Sequence, residues 1–174
     1  EKITLNTKFP NVLNFVRAYH YYSGLPDFDN IQGINPRHSR MTVNFDTGDF
    51  VAGEYDAQLN DDFMNLCLYD NLIKLDIKDF YGKLYSHYLP KGELQDNVFT
   101  SLNNGRTGGI IMGNYLSLYF AENALKKISD DFEIALEDAA VNCHFEYFSD
   151  DFYIFCNRYD NEKIRKLFSQ VLAE

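Results

Sequence analysis

The sequence has no internal repeat, no low-complexity stretch and no Ser/Pro-rich linker. That leaves one domain, or one compact piece of a larger one, for its 174 residues. Cysteine is scarce. Cys67, Cys143 and Cys156 are an odd set without metal-type spacing, and all three are expected as reduced core thiols of a cytosolic protein. No apolar run approaches the ~18 residues of a membrane span, and no signal peptide is visible. A cytoplasmic location with no membrane partner follows as an expectation. The chain begins at Glu1 rather than Met, as expected of a product that has lost its beginning. Basic residues are also few: 16 Lys/Arg against 26 Asp/Glu give a net charge of −10. This excludes a nucleic-acid binder that is basic all over. The deficit is uneven. Residues 1–45 carry five basic and three acidic side chains, a net of +2, and the rest carry eleven and twenty-three, a net of −12. A polyanion partner must therefore avoid the acidic faces or arrive with metal ions.

Apolar residues are plentiful, at 45% hydrophobic and 16% aromatic, so a full-sized core is available and disorder is excluded. Val12, Phe15, Val16 and Tyr19 recur at helical spacing behind Pro10 and predict a helix over 10–22. A loop rich in Gly, Pro, Asp and Asn follows at about 23–36. Met41, Val43 and Phe45 alternate with polar residues, which predicts a strand ending at the turn 46–49. Further helices are predicted at 57–69, at 93–103 (ended by Asn103-Asn104-Gly105), at 114–128, at 129–141 and at 160–173. Strands are predicted at 72–77 and on both sides of Ser149-Asp150-Asp151, from Cys143 to Cys156. Interleaved helices and strands around an antiparallel sheet give the class α+β.

Two of these strands break the rules for buried β-structure. Asp76 ends the apolar run Leu72-Ile73-Lys74-Leu75, and Asp150-Asp151 interrupt the aromatic run from Phe145 to Phe155. Carboxylates inside such runs are costly unless paired or bound to a cation. Taken alone, Asp150-Asp151 read equally as a solvated hairpin turn, and Asp76 as a cap for the following helix. Taken together, carboxylates on adjacent strands can converge on one or two Mg²⁺ ions, which take hard oxygen ligands and substrate phosphates. Two such ions, about 3.5–4 Å apart, activate the attacking oxygen and stabilise the leaving one in phosphoryl transfer. The ions also invert the local charge, which reconciles an acidic site with a polyanionic substrate.

Three segments, in this order, resemble the motifs of a reverse-transcriptase palm. Asp76-Ile77-Lys78-Asp79-Phe80-Tyr81 resembles motif A, Gly109-Ile110-Ile111-Met112-Gly113-Asn114 resembles motif B, and Phe148-Ser149-Asp150-Asp151 resembles motif C. The likeness spans about Leu72 to Glu174. Ile111 stands where the family usually has proline, Met112 where many members have glutamine, Phe148 where tyrosine is usual and Tyr147 where arginine is frequent. The segment Phe80-Tyr81-Gly82-Lys83-Leu84-Tyr85-Ser86-His87-Tyr88-Leu89 is similar to one in bacterial abortive-infection, or phage-defence, reverse transcriptases. Retrons and diversity-generating elements are the near competitors.

The resemblance implies a polymerase palm with a ferredoxin- or RRM-like antiparallel sheet on helices over 71–174, and partial fingers over 1–70. The family's lysine-bearing turn, primer grip and thumb are absent from this stretch, so it is expected to hold nucleic acid poorly and to polymerise inefficiently alone. It implies Asp76, Asp150 and Asp151 as catalytic residues and metal ligands, with the backbone carbonyl of Ile77 completing a site for two Mg²⁺ ions, or Mn²⁺ in their place. Nucleotide-binding positions are Ile77, Lys78, Asp79, Phe80, Met112 and Gly113, and Tyr81 as a steric gate that excludes a ribose 2′-hydroxyl. The implied partners are dNTPs and a primer and template of RNA or DNA, or self-priming from a protein tyrosine, with a homo-oligomer left open.

Basic candidates for the triphosphate are Arg37, Arg40 and Arg106, since arginine offers forked donors to phosphate. Most isolated arginines are solvated surface, and Lys78 reads as a surface lysine as readily as a ligand. Gly109 allows close backbone approach to a nucleotide. His87 reads as a packed or helix-end residue, and Tyr21, Tyr22 and Tyr153 are weak candidates for base stacking. The competing functions are a catalytically retired palm serving as a nucleic-acid-binding or assembly module, and another palm-fold enzyme such as a nucleotide cyclase. The cyclase reading lacks its Gly-Gly-Asp-Glu-Phe hairpin.

Overall fold

The structure is a computed structural model that describes residues 11–25, 27–41, 44, 46–47, 49–85, 100–103 and 105–173. Its elements, in chain order, are α1 (Val12–Tyr22), α2 (Glu54–Leu68), β1 (Asn71–Asp76), the short α3 (Phe80–Lys83), α4 (Tyr115–Asp138), β2 (Cys143–Phe148), β3 (Asp151–Cys156) and α5 (Asn161–Val171). The class is α+β, with a three-stranded antiparallel sheet in the order β1-β3-β2. The chain divides into two compact units of interleaved segments, 1–31 with 79–124 and 32–78 with 125–174. Among the described residues, no helix is long and apolar enough to cross a membrane.

In the first unit, α1 starts at Asn11, whose side-chain oxygen accepts from the backbone N–H groups of Leu13 and Asn14 at 3.1 and 3.3 Å. This N-cap satisfies two of the helix's orphan donors. Pro10 lies outside the described residues. The inward face of α1 buries Ala18 and Tyr22 completely. Tyr22 packs edge-on against Phe120 at 4.9 Å, and Phe28 meets Tyr115 and Tyr119 at 5.1 and 5.2 Å. Tyr22 is thus a core residue, and its burial pushes the phenol above its ordinary range. Most of the predicted helix 93–103 lies outside the described residues. Residues 100–102 are helical, and Gly105, at φ 79°, donates its N–H back to the Thr100 carbonyl at 2.8 Å, the helix-ending role expected of that glycine.

The second unit holds the sheet. One face presents Ile73, Phe145, Tyr147, Phe152, Ile154 and Cys156, all buried. The helices cover it with Phe132 from α4 and Phe168 from α5. Phe132 lies 5.1 Å from both Phe145 and Phe168, and Phe168 lies 4.9 Å from Phe152. The predicted strand at 41–45 falls mostly on residues outside those described (42, 43 and 45). Backbone pairing occurs just before it: Tyr147 N–H donates to the His38 carbonyl at 2.7 Å, and Arg40 N–H donates to the Tyr147 carbonyl at 2.9 Å.

Two expectations are corrected. The helices expected at 114–128 and 129–141 are one continuous helix, Tyr115–Asp138. Ser129 does not cap a new helix; its hydroxyl donates to the Leu125 carbonyl one turn back, at 2.7 Å. Lys126–Asp130 and Lys127–Asp131 pairs span the junction at i,i+4. Second, Cys67 is not a core thiol but an exposed one, whereas Cys143 is half-buried and Cys156 buried. Burial pushes the Cys143 thiol up to about 12, and raises that of Cys156 as well. Only thiolates are nucleophilic. Iodoacetamide at pH 8 should therefore alkylate Cys67 alone in the native chain, with Cys143 and Cys156 reacting after unfolding. Peptide mass mapping that finds Cys143 labelled first would refute this ordering.

Candidate active site

Asp76, Ile77, Asp150 and Asp151 come together at one end of the sheet in the second unit. The β1–β3 register sets Asp76 directly opposite Asp151, and the β2–β3 register sets Phe148 opposite Asp151 on the other side. The link continues past the strand, where Ile77 N–H donates to the Asp150 carbonyl at 3.1 Å. Directly opposed residues project to the same face. This face is the one turned away from the Phe132–Phe168 core, and it also carries Lys74, Tyr153 and Glu146 in the next row. Asp76 is exposed, Asp150 and Asp151 are half-buried, and Ile77 is buried.

Two carboxylates directly opposite one another destabilise a sheet. Here Lys74 relieves the strain. Its ammonium lies 2.7 Å from the Asp151 carboxylate and 5.2 Å from the Tyr153 ring centre. The Asp151 hydrogen bond holds the Lys74 pKa above its ordinary value. Asp76 does not cap a helix: the N-cap position of α3 is Asp79, in the left-handed region at φ 56°, and its side chain makes no cap hydrogen bond.

The β2–β3 connection is the pair Ser149-Asp150. Ser149 adopts φ 55°, a conformation that costs an L-residue roughly 1–2 kcal/mol. Such strain beside candidate catalytic groups is a pointer to function.

Two of the arginines named as triphosphate candidates pair with carboxylates of the second unit. The Arg40 side chain is only 7% exposed, its guanidinium paired with Asp62 and with Glu146 at 3.4 Å, and stacked 4.1 Å above the Tyr153 ring. Gln58 donates to the same Glu146 carboxylate at 2.9 Å. Tyr153 is thereby covered by a cation and is not an open stacking platform. Arg37 is exposed and pairs with Glu133. His38 donates from Nδ1 to the Phe145 carbonyl at 3.3 Å and stacks on its ring, which anchors the arginine-bearing segment on β2. Sequence reasoning missed Asp62, Gln58 and Glu146 as partners of Arg40. Glu146 had a signal, as a carboxylate inside an aromatic strand; the other two had none. Lys78 is exposed.

The remaining candidates belong to the first unit. Tyr81 is half-buried and packs edge-on against the buried Phe80, with ring centres 5.5 Å apart. Its carbonyl accepts from Ile110 N–H at 2.8 Å, and the Leu84 carbonyl accepts from Gly109 N–H at 2.9 Å. Helix α3 and the loop around Gly109 are thus laced by main-chain bonds. Gly109, at φ 79°, sits so close to Gly82 that a Cβ would meet its carbonyl oxygen at 3.0 Å. Met112 is exposed, and Gly113 has φ 91°. Arg106, Ile110, Ile111 and Asn114 line one apolar cavity with Phe15 and Phe120. His87 lies outside the described residues.

Among the described residues, no three His, Cys, Asp or Glu side chains stand as a ready-made metal cage. Carboxylate oxygens in one register row are nevertheless the donor type that a hard cation takes when substrate phosphates and water complete its shell. Compared with models of known protein families the chain matches none, and no curated protein matches it.

Replacing Ser149 by glycine should remove the backbone strain. The expected gain in unfolding free energy is about 0.5–1 kcal/mol after glycine's extra chain entropy is counted. Urea denaturation reads this directly, and a loss of stability would show that the Ser149 side chain outweighs the strain.

Proposed function

We propose that this chain is the fingers-and-palm part of a reverse-transcriptase-like DNA polymerase acting in bacterial phage defence. It would transfer deoxynucleotides from dNTPs to a 3′-hydroxyl, or to a protein tyrosine, as primer. The observation that carries this reading is the pairing of Asp76 with Asp151, tied by the Ile77–Asp150 main-chain bond. These are the residues that motifs A and C single out, far apart in sequence and adjacent at one sheet end. Asp76, Asp150 and the Ile77 carbonyl would hold Mg²⁺ or Mn²⁺, with Asp151 as the third carboxylate. When bound, the metal supplies phosphate charge neutralisation and a more acidic attacking hydroxyl.

The chain's own residues do the positioning, which is most of what phosphoryl-type transfer asks of a protein. The β1–β3 ladder fixes the carboxylates on a rigid sheet. Tyr81 is held by Phe80 and by the bond from Ile110, which supports a gate role for its ring against a 2′-hydroxyl.

One observation favours a second reading, a retired palm that binds or assembles without catalysing. Lys74 already neutralises Asp151, as a structural cation would. Calorimetric titration with Mg²⁺ and Mn²⁺ in the presence of dNTP separates the two, since a retired palm binds neither.

In the full-length protein, Asp150→Asn should lower Mg²⁺-dependent dNTP incorporation by at least about a hundredfold, comparable to losing a main electrostatic stabiliser. Normal incorporation by that variant would sink the metal-ligand assignment. Tyr81→Ala should raise ribonucleotide incorporation relative to deoxynucleotide, measured by competing the two sugars. Unchanged sugar selectivity removes Tyr81 from the gate role.

A further inference from the structure

Two cations flank the Tyr153 ring, and they are held very differently. The Arg40 guanidinium lies 4.1 Å from the ring centre, between the Asp62 and Glu146 carboxylates, with its side chain 7% exposed. It is built into the unit. The Lys74 ammonium lies 5.2 Å from the same centre and pairs with one carboxylate, Asp151, at 2.7 Å, and its side chain is 53% exposed. A solvent-exposed lysine–carboxylate pair is held only weakly. Of the two cations, Lys74 is the one free to let go.

The strand register puts this releasable cation beside the candidate metal site. Lys74 stands two residues before Asp76 on β1, so both side chains project from one face. Lys74 is opposite Tyr153 and Asp76 is opposite Asp151, so Lys74 and Asp151 meet on the diagonal. Among the described residues, no other Lys or Arg pairs with Asp76, Asp150 or Asp151. The three carboxylates carry a formal charge of −3, and Lys74 returns +1 to them. A divalent cation on Asp151 competes with the ammonium for the same oxygens, and the two positive charges repel each other over a few ångströms.

We propose that Lys74 is a resident competitor of the metal: its ammonium holds Asp151, and a divalent cation binds by displacing it. The sheet end is thereby neutralised when no metal is bound, and its affinity for the bare ion is held down. This rests on the reading of Asp76, Asp150 and Asp151 as metal ligands given above, and adds what regulates them.

Mn²⁺ titrated into the chain by calorimetry, in low-salt buffer, reads the competition. Lys74→Met should bind Mn²⁺ about three- to tenfold more tightly than the parent chain, the scale of one unit charge near a divalent ion in a water-accessible site. Lys74→Arg keeps the charge and should stay within about twofold of the parent. Lys166→Met, an equal charge change at an exposed position of α5, should leave the affinity unaltered. Carbon NMR of the parent chain should show the Lys74 Cε resonance shifting as Mg²⁺ is added, a reading that needs no variant. Equal or weaker Mn²⁺ binding by Lys74→Met overturns the inference and leaves the metal reading standing, because the ion still binds. Tightening by Lys74→Arg or Lys166→Met as large as that by Lys74→Met overturns it too, as does a Lys74 resonance that stays in place while Mg²⁺ binds. If neither the parent nor Lys74→Met binds Mn²⁺, with or without dATP, the metal reading itself falls and the inference falls with it.

Discussion

The antiparallel pairing of β1 with β3 is the constraint on which the second unit depends. Six consecutive residue pairs, from Asn71 with Cys156 to Asp76 with Asp151, share one register. A slip of one residue would exchange the two faces of β1 and expose Ile73, which is buried. The apolar core therefore chooses the register, and the register in turn sets two like charges opposite each other. Hydrophobic packing imposes an electrostatic cost at the sheet end, and a cation is the natural remedy. Lys74 is such a cation, diagonal to Asp151 on the same face.

A second constraint comes from Arg40. Burying a guanidinium is tolerated only when acceptors surround it. Asp62 from α2, Glu146 from β2 and the Tyr153 face from β3 do so. This cluster decides which side of α2 faces the sheet, and hence which side meets solvent. The same demand explains why this arginine, in a net-basic segment, is held between two carboxylates. Its partners, Asp62 and Glu146, are distant in sequence and cannot be read from the local pattern around Pro36-Arg37-His38-Ser39-Arg40.

The sheet was legible in the sequence because its strands are short, apolar and broken by aspartates. Predicted edges at 72, 143 and 156 fall within a residue of the observed strands. The convergence of Asp76 with Asp150-Asp151 was legible for the same reason, since carboxylates stand out in apolar runs. Other features depended on distant partners. Continuity through Ser129-Asp130-Asp131 rests on the preceding turn, where Leu125, Lys126 and Lys127 take up all three side chains. Cys67 reads as core in isolation, because nothing local shows that α2 turns Gln58 and Asp62, on the side away from it, towards Arg40 and Glu146.

The close approach of Gly109 to Gly82 fixes the main chain that carries Tyr81. One added carbon at Gly109 would press on the Gly82 carbonyl oxygen, at 3.0 Å, and that carbonyl follows Tyr81 directly in the chain. The place from which the Tyr81 ring springs is thus written in backbone spacing. A change at Gly109 would therefore be felt in the α3 backbone, so the two segments can shift only together.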